Sequence, residues 1–596
     1  MGKPIGEYAL IGDCETAALV ARDGSIDWMC TPRFDSAACF AALLGTEEHG
    51  FWKIAPTVPV RATRRRYRPG TLVLETEFET DAGVAAVIDF MPPRTEVPDL
   101  IRVVEGRGGS VPMQSELVMR FEYGSVVPWV RSAPGGIVAV AGPDLLRLVT
   151  PARLRGERMR TFASFEIAAG ERVPFDLAWG RSHLPAPGAA DPLRALADTE
   201  AFWRAWSDRS RCEGPHRDAV LRSLITLKAL TYAPTGGIVA APTTSLPEAI
   251  GGNRNWDYRH CWLRDSTFTL YALLHAGHSD EARAWSAWLV RAVAGTPAQT
   301  QIMYGLAGER RLTEIEIGWL PGYRDSRPVR IGNAASTQMQ LDVFGEVLDT
   351  LHLVRRLGMD GGDEGGRVER ALVDWVARVW SEPDYGIWEV RGPPRHFTYS
   401  KVMAWVALDR GVKAVEEFGL PGPVERWRAV RDEIHKAICE RGFDPSLGSF
   451  VQFFGGRSVD ASLLLLPQVG FLSPGDPRLR GTVARIEAEL VVDGLVARYL
   501  PDERLDGIPH GEGAFLACSF WLVDAYVLLG RHAEARSLFD RLVGLANDVG
   551  LLSEQIEYET GAMLGNFPQA FSHIALVNSA RNLAGAGGPA EERQKS

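Results

Sequence analysis

The chain has 596 residues, 46% hydrophobic and 23% charged, with a formal net charge of −10, the balance of a globular protein too long for one hydrophobic core. No apolar run reaches the roughly 18 residues of a membrane span. The arginines are dispersed, which argues against the basic stripe of a nucleic-acid binder and leaves a neutral small ligand as the expected partner.

The first eight residues, from Met1 to Tyr8, lack the apolar core and small-residue cleavage site of a secretory signal, so a cytoplasmic location is expected. Cys14, Cys30, Cys39, Cys212, Cys261, Cys439 and Cys518 form no Cys-x-x-Cys pair and no His–Cys cluster at ligand spacing. Reduced, buried thiols and no bound metal are expected. Short runs rich in β-branched and aromatic residues at 71–79, 84–90, 117–123, 137–141 and 161–167, separated by Gly, Pro or Asp, predict an antiparallel β-sandwich over residues 1–185. Residues 106–110 (Gly-Arg-Gly-Gly-Ser) read as a loop and match no phosphate-binding glycine pattern, so no nucleotide site is expected.

A Pro/Ala/Gly-rich stretch at 183–190 marks the boundary. Asp191-Pro192 then supplies an N-cap and a first-turn proline for a helix bearing Leu193, Leu196, Phe202, Trp203 and Trp206; residues 186–214 are read as a helical linker. Beyond it, apolar faces at a period of 3.6 recur about twelve times, the run at 459–466 among them. A solenoid would repeat every 34 to 47 residues or so, and no such repeat is visible. Closed pairing into an (α/α)6 barrel over 215–585 is predicted, giving a multidomain α+β chain with a disordered tail at 586–596.

The chemistry concentrates in four loop motifs: 253–265, with Trp256, Asp257, Tyr258, Trp262, Arg264 and Asp265; 318–323, with Trp319; 386–391, with Trp388, Glu389 and Arg391; and Glu554 followed by 565–571. Pyranose rings have apolar C–H faces that stack on aromatics and hydroxyls that need polar partners, so a monosaccharide pocket requires this mixture. Two carboxyls brought together from distant loops are also what glycoside hydrolysis requires, and Glu389 and Glu554 are the candidates.

These motifs, with Ile11-Gly12-Asp13-Cys14-Glu15-Thr16 and Asp23-Gly24-Ser25-Ile26-Asp27-Trp28 near the start, resemble glycoside hydrolase family 15, the family of glucoamylases, glucodextranases and bacterial trehalases. The resemblance implies that Glu389 is the general acid and Glu554 the general base, with Arg264 and Asp265 binding hydroxyls of the released sugar and no redox cofactor. Trp256-Asp257-Tyr258-Arg259, residues 386–392 and residues 401–411 resemble the actinobacterial trehalases most. Val390 stands where fungal glucoamylases carry a second glutamate that helps to hold the leaving sugar. Trehalose is therefore the expected substrate, with a glucoamylase-like or isomaltose-type α-glucosidase as the alternative and a non-catalytic sugar-binding protein as a third reading.

Plainer structural readings stand beside these. Glu512, Glu557 and Glu559 are rivals to Glu554 as the base. Asp265 at a helix start also serves as a cap or dipole partner. Trp262 and Trp319 are core or pocket wall, His396 and His573 are satisfied structural groups before they are ligands, and 324–330 is loop structure at the edge of the pocket.

Overall fold

The computed structural model describes residues 2–359, 363–500, 511–585 and 588–595. Its N-terminal half is built from fifteen strands among the described residues: β1 Tyr8–Gly12, β2 Ala17–Ala21, β3 Ser25–Cys30, β4 Ala38–Phe40, β5 Phe51–Pro56, β6 Val60–Tyr67, β7 Leu74–Thr80, β8 Gly83–Phe90, β9 Asp99–Val118, β10 Trp129–Ala133, β11 Gly136–Ala141, β12 Asp144–Val149, β13 Leu154–Glu157, β14 Arg160–Ala168 and β15 Arg172–Arg181. All pairings are antiparallel, and the long β9 belongs to both layers. Its first half pairs β8 and β15, its second half β5 and β14.

The glycine-rich 106–110 segment, expected as a loop, is the crossing point inside β9. Gly83 pairs Gly109 and Ala168 pairs Ser110 across it. A Cβ on Gly106 would meet the Ala168 carbonyl oxygen at 2.0 Å, so glycine is required there by close backbone approach. The predicted strand at 117–123 is mostly outside regular structure, since β9 ends at Val118. Strands β1 to β3 are buried along their whole length, which removes the alternation a sequence reading depends on.

Asp191 caps helix α1 (Pro192–Ser207), accepting from the backbone N–H groups of Leu193 at 3.1 Å and Arg194 at 3.2 Å. The helices that follow are α2 Arg217–Ala229, α3 Ser266–His275, α4 Ser279–Val293, α5 Asp342–Arg356, α6 Asp363–Val379, α7 Thr398–Glu416, α8 Val424–Arg441, α9 Pro477–Leu490, α10 Leu516–Leu528, α11 His532–Val543, α12 Ala570–Leu583 and α13 Pro589–Lys595. An inner ring runs α3, α5, α7, the 3-10 turn Ala461–Leu465, α10 and α12, and α12 closes on α3. Outside it, α8, α9 and α2 each pack on one inner member and α4, α6 and α11 each bridge two, the (α/α)6 arrangement. Burial follows position: α5 is buried on nearly every side, whereas α8 buries only Trp427, Ile434 and Ile438, a single stripe.

Two predicted elements differ. Residues 459–466 carry a 3-10 turn where a helix was expected, with Asp460 accepting from the Ser462 hydroxyl at 2.7 Å. The expected disordered tail contains α13, whose Arg593 side chain is buried, donating to Asp349 Oδ2 at 2.6 Å and Glu346 Oε2 at 2.7 Å on α5. That ordering comes from charges deep in the barrel that the composition of the tail does not reveal. Among the described residues, no helix is long and apolar enough to cross a membrane.

Candidate active site

The loops that enter the inner helices meet at one end of the barrel. Arg264 and Asp265 directly precede α3, Glu389 lies on the loop before α7, Asp460 precedes the inner 3-10 turn, Phe515 precedes α10, and Glu554 lies on the loop before α12. Inner-helix N-termini, with their unpaired N–H groups and positive dipole ends, therefore surround one space. It is a cavity whose aromatic wall is Trp256, Tyr258, Trp388, Tyr499 and Phe515. Its polar lining is Glu248, Arg254, Arg264, Glu389, Arg391 and Arg498.

Glu389 sits on a tight turn in which Gly386 has φ 66° and Glu389 itself φ 56°. That left-handed backbone is unusual for a side-chain-bearing residue and stores strain. Its Oε1 accepts from the Trp262 indole N–H at 2.7 Å and from Arg264 Nη1 at 3.2 Å, and the side chain keeps 19% exposure. Trp388 next to it donates instead to Asp460 Oδ2 at 2.8 Å and packs edge-on against Phe515.

Glu554 is fully buried. Its Oε1 accepts from the Tyr258 hydroxyl at 2.7 Å and its Oε2 from the Asn566 backbone N–H at 3.1 Å. Burial pushes this carboxyl above the ordinary glutamate range, against the pull of Arg498 and of those two donors. The loop beneath is pinned by α12: His573 Nε2 accepts from the Leu552 N–H at 3.1 Å, and the Ser572 hydroxyl donates to the Ser553 carbonyl at 2.8 Å. Glu389 in the cavity wall and Glu554 buried behind Tyr258 are thus held in unlike environments. Among the described residues, no group of three His, Cys, Asp or Glu could hold a metal ion.

The family model for Glycosyl hydrolases family 15 matches residues 214–581, and one for a trehalase-like N-terminal domain matches residues 1–194. The chain belongs to glycosyl hydrolase family 15. It is similar to trehalases of Mycolicibacterium smegmatis (40% identity over 97% of this chain and 90% of that one), Mycobacterium tuberculosis (40%, 97% and 89%) and Thermoplasma volcanium (35%, 97% and 93%). A bacterial glucoamylase solved with acarbose shares the fold over 98% of this chain and 94% of its own, with a TM-score of 0.73 at 13% identity. This is a glycoside hydrolase with a trehalase-like sequence.

Of the residues expected at the family 15 site, Trp256, Arg264, Trp388, Glu389 and Arg391 line the cavity. Trp262 reaches it through its hydrogen bond to Glu389, Asp265 stands behind Arg264 with Nε to Oδ1 at 3.0 Å, and Glu554 stands behind Tyr258. Two expected sugar-binding residues are placed elsewhere. Asp257 is buried under the loop, paired with Arg259 Nη2 at 2.7 Å and accepting from the Gly332 N–H at 2.9 Å. Trp319 is 52% exposed and donates to the Tyr123 carbonyl of the sandwich at 3.1 Å; its Pro-Gly neighbourhood is an interdomain contact. Among the rivals to Glu554, Glu512 is paired with Arg498 at 2.8 Å, Glu557 accepts from Thr560, and Glu559 is exposed.

His573 is structural, as its loop contact shows. Arg330 from the 324–330 segment stacks on Trp256 with its guanidinium carbon 4.6 Å from the ring centre, and Arg391 does the same at 4.7 Å. Sequence reasoning missed Glu248, Arg498 and Tyr499 altogether, and Arg254 lay inside the 253–265 motif without being singled out. Tyr258 was inside a quoted motif, and its phenol was the one signal available; Arg498 lies in a short segment with no pattern of its own.

Proposed function

We propose that the chain hydrolyses trehalose with inversion at the attacked anomeric carbon. The observation that carries this reading is the pair of carboxyls, Glu389 in the cavity wall with its indole and guanidinium donors and Glu554 directly behind it on the wall residue Tyr258. Glu389 gives its proton to the glycosidic oxygen as the C1–O bond breaks. Glu554 takes a proton from a water that attacks C1 from the opposite face, and one glucose leaves with its anomeric configuration unchanged. Arg264, backed by Asp265, holds hydroxyls of the sugar being attacked, and Arg498 adds a second guanidinium to the same wall. The substrate follows the curated relatives, named trehalases over nearly the whole chain, and Val390, which supplies no polar group beside the acid. Residues 215–585 are the catalytic unit in this reading, with 1–185 as its buttress and 186–214 as the connection.

Trehalose, maltose and isomaltose are to be compared side by side, with NMR of the first-formed products. Trehalose should be preferred, and inversion should release β- and α-glucose in equal amounts; two α-glucoses would mean retention, and a preference for maltose or isomaltose would overturn the substrate. Glu389→Gln and Glu554→Gln should each lose roughly 10²- to 10⁴-fold in kcat. Near wild-type turnover in either would remove that residue from the mechanism.

A further inference from the structure

In the cavity wall, around Arg498, lies a cluster of charges whose arrangement the mechanism leaves unexplained. Arg498 donates through Nη2 to Glu248 Oε2 at 2.5 Å and through Nε to Glu512 Oε1 at 2.8 Å, and the same Nη2 also contacts Glu512 Oε2. Its guanidinium carbon is 5.4 Å from the centre of the Phe515 ring and 6.0 Å from that of Trp388. Arg254 adds Nη1 at 3.6 Å from Glu512 and 3.4 Å from the Tyr499 hydroxyl. Glu248 is buried, and its second oxygen, Oε1, has no donor among the described residues.

Two carboxyls with buried side chains gripping one guanidinium nitrogen cannot both ionise cheaply, because like charges at that range repel and burial weakens the screening between them. An oxygen without a donor next to another carboxyl is the geometry of an acid that is itself the donor. We infer that Glu248 and Glu512 share one proton, and that this acid–carboxylate pair is the positioning device that holds the Arg498 guanidinium against the substrate.

The charge count agrees. Glu248, Glu512 and Glu554 face Arg254 and Arg498, with Tyr258, Tyr499, Tyr558 and the Cys518 thiol as further titratable neighbours, each neutral while it keeps its proton. Three carboxyls against two guanidiniums balance when one carboxyl keeps its proton. Burial raises Glu248, and Glu554 and Glu512 push it further against the pull of Arg498, while Glu512 is drawn below the ordinary range by Arg498 although burial opposes it. Glu248 is thereby the member that holds the proton. A single negative charge on the pair then keeps Arg498 oriented, and swapping which residue carries that charge changes little.

The effect on substrate rests on the trehalose reading, whereas the shared proton does not, and the test separates the two. Glu248→Gln, Glu512→Gln and the double variant are to be compared with wild type for kcat and KM on trehalose across pH. Each single variant keeps one negative charge, so each should raise KM about 3-fold. The double variant loses the charge, and its KM should rise about 10²-fold, well beyond the product of the singles, with kcat less affected. Its acid limb should also move to lower pH, because one carboxylate that raises Glu554 has gone. Multiplicative effects, or a Glu248→Gln loss as large as that of the double variant, would overturn the pairing. Infrared difference spectra give a readout independent of turnover and of substrate choice: one protonated-carboxyl stretch, distinct from that of the proposed acid Glu389, should be lost between wild type and either single variant. Its persistence in Glu248→Gln would overturn the inference even if trehalose proved to be the substrate, and its loss would uphold the shared proton even if trehalose did not.

Discussion

Tyr258 is the side chain on which the behaviour of Glu554 turns. Its hydroxyl remains a neutral donor, since burial and then the neighbouring Glu554 drive it well above the usual phenol range, and donation to Oε1 favours the ionised carboxylate. Burial wins overall and leaves Glu554 raised, so the acid limb of kcat/KM should fall above the ordinary glutamate range. Tyr258→Phe removes a lowering influence. Glu554 should then titrate higher, and the acid limb should move to higher pH with about a 10-fold loss near neutrality; an unmoved or lowered limb in a pH–rate series would contradict this. Glu389, Glu554 and the Arg264–Asp265 pair, which the fold brings to one end of the barrel, were legible because their motifs are dense in indole and guanidinium groups. Asp257 and Trp319 misled for the same reason, because composition does not tell which face of a loop turns inward. Glu248 and Arg498 sit in segments without such density and become partners only through the fold.

Elements that bury one stripe announce themselves, as α8 does with Trp427, Ile434 and Ile438. The helix α13 does not, because what orders it is a pair of acids in α5. Asp349 is held at about 2, Arg410 and Arg593 together overcoming the burial that opposes them. Arg593→Ala would leave Glu346 and Asp349 buried with too little positive charge, and breaking such a pair costs about 3 to 5 kcal/mol. Thermal denaturation of Arg593→Ala and of a chain ending at residue 587 should show similar losses, and an unchanged midpoint in both would mean that α13 is not part of the barrel core. The crossing in β9 was misread for a related reason: glycines that mark a loop by composition here permit two backbones to touch.

Across the whole molecule, the sandwich reaches the catalytic end through a few specific contacts. The Trp28 indole donates to the Pro242 carbonyl at 2.9 Å, Arg65 grips Asp548 at 2.6 Å, and Arg259 Nη1 meets the Ser36 carbonyl and the Tyr123 hydroxyl, both at 2.9 Å. One buried apolar cluster also runs through both halves, as suits partners that never separate. The full chain should melt in one calorimetric transition, and residues 186–596 expressed alone should be destabilised and at least about 10²-fold less active, since a displaced Tyr258–Arg264 loop disturbs both carboxyls. Two resolved transitions with activity in the barrel alone would show the sandwich to be dispensable. The position of Arg259 carries a further consequence. It is one residue from the phenol that holds Glu554, yet three of its hydrogen bonds, to Cys30, Ser36 and Tyr123, end in the other domain, so the active-site loop is effectively co-owned. A catalytic barrel could not be lifted out and fused behind a foreign N-terminal module without also importing the surface around Ser36 and Tyr123, and over evolutionary time the two halves can change partners only if both sides of that contact change together.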